Sequence, residues 1–477
     1  MIFPSYIFLL VFLPVALLLW YGLPSLRARV IALTAMSYVF YGWWDYRFCA
    51  LMLASTALDF VCGWKIDESE APRARRLWLA LSLTGNLASL GFFKYYDFFA
   101  RSLADALEAA GLPVTMPVLN VILPVGISFY TFQSLSYSID IYRRESRPTT
   151  DFFTFAAYVS MFPQLVAGPI VRYSDVEDQL RALPGKKVDW DQLADGAWFF
   201  VIGIVKKIWI ADAVSGFADK VFDGGGTPAL ITAWTGALAY TFQLYFDFSG
   251  YSDMAMGLGK MLGFDFPKNF DSPYKSANIS EFWRRWHITL SNWLRDYLFI
   301  PLGGSRSGTA KTLRNLVVTM FLGGLWHGAA WTFVVWGLFH GLLLAIHATW
   351  RRLCPWRVPR VLAVAMTFVV VVMGWVLFRA TSFERALAVL KGMFGVHGLD
   401  ALTYVHSSGL ALPEVFAGFQ LRQLGMLGVA AGLVFFAPNS LEMKKPRHPV
   451  FAMLLGVVLL ATMLQLMEAT PFLYFQF

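Results

Sequence analysis

The chain has 477 residues, 57% of them hydrophobic and 15% charged, with a mean hydropathy of +0.55. That balance excludes an ordinary soluble globular protein and leaves a polytopic membrane protein. The formal charge of +8 does not indicate nucleic acid, because the Lys and Arg residues fall in short clusters between apolar segments and form no single basic face. Cys49, Cys62 and Cys354 make no CxxC pair and no disulfide framework, which argues against redox chemistry and cysteine-ligated zinc.

The first stretch, MIFPSYIFLLVFLPVALLLWYG, lacks the basic n-region of a signal peptide and reads as a retained first span over 5–22. Crossing a hydrocarbon core of ~30 Å takes roughly 20 helical residues. Further spans are predicted near 30–44, 48–64, 77–99, 119–141, 196–214 and 231–258, two within 315–349, and then near 361–378, 424–438 and 449–467. The segment 152–170 is apolar but broken by Pro163 and by Gly168-Pro169, and reads as re-entrant, with its irregular backbone covered by protein or water. The expected fold class is therefore all-α, with about eleven or twelve transmembrane helices plus re-entrant and interfacial amphipathic helices. The mixed stretches 172–195, 260–314 and 379–422 are too short or too amphipathic for an independent globular unit. One membrane-embedded domain is expected over 1–477, with amino-terminal spans in 1–118, a catalytic core in 119–349 and carboxy-terminal spans in 350–477.

The basic loops set an orientation. Arg27 and Arg29 follow the first span, Arg73, Arg75 and Arg76 the third, and Arg143, Arg144 and Arg147 the fifth, whereas Arg101 after the fourth is offset by Asp105 and Glu108. This places the amino terminus outside the cytoplasm. Lys311 to Arg314, Arg351 to Arg360 and Lys444 to Arg447 fall on the cytoplasmic side in the same count, which closes with the carboxy terminus outside as well. Both flanks of 315–349 are then cytoplasmic, and about 35 residues at 1.5 Å each cover ~52 Å, so the segment is expected to be a hairpin of two short passes.

That hairpin carries His327 in a long apolar run, flanked by Gly323, Gly324 and Gly328. A charged side chain at membrane depth costs about 2.5 kcal/mol or more, so such a histidine faces protein or a water-filled cavity. Its bland alternative is a neutral histidine satisfied by a neighbouring helix. A second stretch, EFWRRWHITLSNWLRDY over 281–297, places Trp283, Trp286, Leu290, Trp293, Leu294 and Tyr297 on one stripe and predicts an amphipathic interfacial helix. His287 falls on the edge of that stripe, with Arg284, Arg285, Asn292, Arg295 and Asp296 on the other side. Upstream, AYTFQLYFDFSGYSDMAMG carries Gln243, Asp247, Ser249, Tyr251 and Asp253, acids that need a site or an ion pair near the membrane interior. The patch PVGISFYTFQSLSYSIDIYR, with its hydroxyls and Gln133, either lines a channel or bonds helices together. The spacing of His327, His340 and His347 forms no three-ligand metal cluster, and His340 reads as a packed or hydrogen-bonded core residue.

These motifs, together with FPQLVAGPIVR, NFDSPYKSANISEFWRRWHITLSNWLRDYLFIPLGGSR, LGGLWHGAAWTFVVWGLFHG and the terminal PFLYFQF, resemble the membrane-bound O-acyltransferase family, in its bacterial alginate O-acetyltransferase type, over nearly the whole chain. The resemblance implies that His327, in LWHG, is the catalytic histidine and His287, in RRWH, its companion. The candidate substrate contacts are Trp326, Tyr251, Asp253, Asn292, Arg284, Arg285 and Arg295; with Lys268, Arg284 and Arg285 offer charge to donor phosphates. The implied reaction moves an acetyl group from a cytoplasmic donor, acetyl-CoA or another acyl thioester, to a hydroxyl of an extracytoplasmic polysaccharide, directly or through a partner protein. No bound cofactor and no metal are expected. The implied setting is the bacterial inner membrane, with membrane lipids, periplasmic acetyltransferase or polysaccharide-modifying proteins and the polysaccharide as partners. A proton-coupled transporter and a non-catalytic anchor of an export complex are the rival classes. The first would carry an inverted repeat, which the chain does not display.

Overall fold

The computed structural model describes the chain apart from residues 113, 183–187, 307, 355, 357, 402–403, 406–410, 418–420, 444, 446–447, 467–469, 471 and 474–477. Most of the PFLYFQF motif and part of the 444–447 and 351–360 basic loops therefore lie outside the described residues. Backbone contacts divide the chain into two compact units.

The first unit, Met1–Phe200 with Met254–Pro267, is helical. It holds α1 (Leu13–Gly22), α2 (Leu26–Gly42), α3 (Arg47–Glu68), α4 (Pro72–Leu90), α5 (Tyr96–Ala109), α6 (Ile127–Arg143), α7 (Phe152–Ser160), α8 (Tyr173–Ala182) and most of α9 (Trp190–Val205). Helix starts follow local chemistry: the Ser25 hydroxyl accepts from the Ala28 amide to cap α2, the Asp151 carboxylate accepts from the Thr154 amide to cap α7, and Pro72 opens α4. The helices α3, α4 and α6 pack on one another. On the polar face of α6, the Ser138 hydroxyl bonds to that of Ser82 on α4 at 2.9 Å. The segment expected to be re-entrant is helical through α7 and then turns. Its irregular part is covered by protein, because Leu165, Val171, Met161 and Phe162 are wholly buried and Gln164 donates to the Tyr158 carbonyl at 2.7 Å.

The second unit, Val201–Asp253 with Lys268–Phe477, holds α10 (Asp212–Phe222), the greater part of α11 (Leu230–Met261), α12 (Ile279–Arg285), α13 (Ile288–Leu294), α14 (Thr309–His327), α15 (Trp331–Leu353), α16 (Arg360–Arg379), α17 (Phe383–Met393), α18 (Leu421–Phe436) and α19 (Pro449–Met463). One departure from an all-helical chain is a two-residue antiparallel ribbon, β1 (Tyr404–Val405) with β2 (Ala411–Leu412). The tightest pairing is α14 on α15, the expected hairpin. Around it lies an aromatic core of Phe282, Trp286, Trp336, Trp375 and Phe378.

Among the described residues, Arg47–Glu68, Trp331–Leu353 and Arg360–Arg379 are long and apolar enough to cross a membrane, and Phe8–Gly22, Gln423–Phe436 and Val450–Met463 are shorter apolar helices.

Candidate active site

Glycines set the position of His327. A Cβ on Gly324 would lie 2.4 Å from the Phe333 carbonyl oxygen, and one on Gly337 2.4 Å from that of Met320, so α14 and α15 touch backbone to backbone. Gly337 and Gly341, spaced as GxxxG, make the same close face that small residues provide between membrane helices. His327 is the last residue of α14, and Gly328 continues in extended backbone under the ring of Phe333. The His327 ring, 4% exposed, is boxed by Trp326 at 5.0 Å, Trp336 at 5.0 Å and Phe378 at 5.2 Å between ring centroids.

The 281–297 segment differs from the single amphipathic helix read from its periodicity. It is two helices, α12 and α13, broken at Trp286-His287, the second running on as a π-helical turn over Arg295–Phe299. His287 sits in the left-handed region, φ 43 and ψ 55, a conformation that costs a non-glycine residue of order 1–3 kcal/mol. The cause of the break is tertiary. The Ile288 amide donates to the Asn269 carbonyl at 2.9 Å and the Asp271 amide to the Arg285 carbonyl at 2.9 Å, so the chain at 269–271 takes the bonds that would continue the helix. The Asn269 side chain, buried, accepts from the Thr289 hydroxyl at 3.0 Å and from the Thr289 amide at 3.3 Å.

This kink turns His287 fully inward. Its ring lies 4.7 Å from Phe248 of α11, 5.8 Å from Trp326 and 6.3 Å from His327, edge-on to the first. Burial pushes the His287 imidazole well below its ordinary value, to about 3, so it is neutral at physiological pH. His340 is packed, not bonded. Its ring meets Trp336 at 4.8 Å and Trp283 at 5.2 Å, and among the described residues neither of its nitrogens has a hydrogen-bond partner. Trp336 thus stands between His327 and His340.

Of the other candidates, Trp326 joins the two histidines. Asp253 is instead held by Lys206 at 2.6 Å and Ser440 at 2.8 Å. Lys207, 1% exposed, bridges Asp247 at 2.6 Å and Asp212 at 2.8 Å, so Asp247 and Asp253 both find the ion pairs their burial requires. The same network receives the carboxy-terminal segment: Thr470 donates to Asp212 at 2.6 Å, the Leu473 amide to Asp247 at 3.0 Å, and Phe472 packs on Tyr251 at 4.6 Å. The arginines are at or near the surface. Arg284 is exposed and reaches Ser280, Arg285 pairs with Glu281 at 3.0 Å, and Arg295 grips Asp296 at 2.6 and 3.0 Å. Lys268 pairs with Asp271 at 2.9 Å, and Asn292 is half-buried on α13. The sequence reading missed Trp336, Phe378 and Asn269. It also missed Lys206 and Lys207, whose place inside the apolar run 198–211 was a signal that partners were needed.

A family model for MBOAT, the membrane-bound O-acyltransferase family, matches residues 113–387. The chain is 45% identical over 432 residues to the probable alginate O-acetylase of Pseudomonas aeruginosa, covering 89% of this chain and 82% of that one. It is 41% identical to the probable alginate O-acetylase of Azotobacter vinelandii over the full length of both. It is 39% identical to the peptidoglycan O-acetyltransferase of Helicobacter pylori, covering 84% of this chain and 81% of the relative. With an extent of match that includes the His287 and His327 segments, the chain belongs to the membrane-bound O-acyltransferase family and is a multi-pass membrane O-acyltransferase.

Proposed function

We propose that the protein transfers an acetyl group from a cytoplasmic acyl thioester, acetyl-CoA, to a hydroxyl of an extracytoplasmic polysaccharide such as alginate, directly or through a periplasmic partner protein. The enzyme lies in the bacterial inner membrane with both termini in the periplasm. The observation that carries the reading is the convergence of His327 and His287, from separate elements, at 6.3 Å beside Trp326 in an aromatic core. The relatives' names, alginate O-acetylase and peptidoglycan O-acetyltransferase, support acetyl as the group and a polysaccharide as the acceptor class.

His327, as neutral imidazole, takes the proton of the attacking hydroxyl while its oxygen bonds to the thioester carbonyl carbon. The tetrahedral intermediate collapses with loss of thiolate, which receives that proton, so no net charge is left in the site. His287 lines the approach. The surface cations Arg284, Arg285 and Arg295, with Lys268, meet the donor's phosphates, exchanging local carboxylates for them.

His327→Ala removes the base but little apolar volume. It is expected to lower acetylation by roughly 10²–10⁴-fold at unchanged membrane content. An anchor subunit would tolerate the change, so wild-type acetylation by the stably expressed variant would end the enzymatic reading of this site.

A further inference from the structure

The first unit buries a carboxylate with no cation beside it. Asp59 is fully buried near the middle of α3, itself one of the helices long and apolar enough to span a membrane. The Ser82 hydroxyl of α4 lies 2.5 Å from its Oδ1, and the Asn86 amide of α4 donates at 3.0 and 2.9 Å to both oxygens. From α6 the Ser138 hydroxyl lies 3.5 Å from Oδ1 and 2.9 Å from Ser82. Ser55 donates to the Asn86 amide oxygen at 2.7 Å. Ser134, wholly buried on α6, faces the same carboxylate, and its hydroxyl has no other partner among the described residues.

Every partner in this cluster is neutral. In the second unit the buried Asp247 and Asp253 each hold a lysine; among the described residues no Lys, Arg or His makes an ion pair with Asp59. The buried Arg75 is committed elsewhere, donating to the carbonyls of Ile66, Ile141 and Tyr142. Ile66 is about 10 Å along α3 from Asp59 at 1.5 Å per residue. The other titratable neighbours, Cys62 on α3 and Tyr137 on α6, add no positive charge. Burying a carboxylate costs several kcal/mol unless a positive charge accompanies it. The donor set is also that of an ion site. It offers two carboxylate oxygens and hydroxyls that can turn their protons away and present lone pairs, while Asn86 gives its amide nitrogen to the carboxylate and its amide oxygen to Ser55, and so holds Asp59 in place. A single carboxylate balances one positive charge, which favours a monovalent over a divalent ion. The Ser82 and Ser138 hydroxyls lie 2.5 and 3.5 Å from Oδ1, so these oxygens are close enough together to turn onto one small ion.

We propose that the Asp59 cluster binds a small monovalent cation, sodium, whose ligands are Asp59, Ser82, Ser134 and Ser138. Its ligands come from α3, α4 and α6, so the bound ion ties these helices together, and by linkage it stabilises the folded protein as its concentration rises past the dissociation constant.

The test is thermal unfolding of the full-length protein in detergent at constant ionic strength, with choline chloride replaced stepwise by sodium chloride. The midpoint is expected to rise with sodium and saturate. Asp59→Asn should abolish the rise, and Ser138→Ala should move half-saturation several-fold higher. Should Asp59→Asn fail to fold, the wild-type series and Ser138→Ala still decide. Superimposed sodium and choline curves for the wild type would overturn the proposal. So would a sodium response that survives in Asp59→Asn, or a midpoint that follows pH and ignores sodium, which would identify a proton as the occupant.

Discussion

Adding one methyl group at Gly324 tests the geometry of the active site more sharply than deleting a side chain from it. The new Cβ would meet the Phe333 carbonyl oxygen at 2.4 Å, the Gly337 Cα at 2.9 Å and the Gly337 nitrogen at 3.1 Å. A carbon and a carbonyl oxygen rest at about 3.3 Å, so relief needs a displacement of about 1 Å. The obstructing atoms are backbone, so no side chain can swing aside, and α15 must move off α14. Helix α14 ends on His327 and α15 carries the Trp336 that packs on it. A misplacement of about 1 Å at a reacting group costs on the order of 10²-fold in rate. Gly324→Ala is therefore expected to lower kcat about 100-fold. Gly323→Ala is the control, because its Cβ meets only Leu294 Cδ1 at 3.1 Å, the end of a flexible side chain. It should stay within a few-fold of wild type. Both substitutions raise helix propensity by up to about 1 kcal/mol, so helix stability alone predicts no loss. The assay is acetylation of a hydroxyl acceptor at matched protein levels in membranes. Equal activity of the two variants would refute the reasoning.

Other consequences are open to measurement. Asn269→Ala removes the side-chain oxygen that accepts from the buried Thr289 amide and hydroxyl, at about 0.5–1.5 kcal/mol for each hydrogen bond lost. It should lower both the unfolding midpoint and the turnover. Ser252→Ala, which removes only the 3.3 Å contact from the Asn269 amide, should do little, and equal effects would remove Asn269 from its positioning role. His287 has a folded value near 3 against an ordinary 6.5, so the unfolded chain binds its proton first. Its contribution to stability is whole above 6.5 and is lost as pH falls from there toward 3. His287→Gln should flatten the acid dependence of the unfolding midpoint between pH 8 and pH 5, and parallel curves would exclude the assignment. Reporter fusions at Ala109, the end of α5, and at Gly308, just ahead of α14, should give opposite signals; like signals would reject the proposed orientation.

The hairpin was legible in the residues alone. An apolar run long enough for two short passes and flanked on both ends by basic loops of one side must double back, and of the glycines beside His327 it is Gly324 that marks where the two backbones approach. Family membership was equally legible, because ordered motifs over the whole chain survive wherever the helices come to lie. The demand that Asp247 and Asp253 be paired was also readable from the energetics of buried charge, though not the identity of Lys207 and Lys206 as their partners. What periodicity concealed was the break at His287. A 3.6-residue stripe runs straight through it, and the interruption comes from Asn269, whose carbonyl captures the Ile288 amide. Nothing local encodes that capture, since the apolar stripe continues across both halves of the segment. The same holds for the box around His327. Trp336 and Phe378 resemble any other core aromatics in sequence, and only the packing of α15 and α16 beside α14 brings them within 5.0 and 5.2 Å of the imidazole. Residue type and spacing determine which groups must be buried and paired, because those costs are local. Which groups meet depends on tertiary contacts between distant segments, and these leave no periodic trace in the chain.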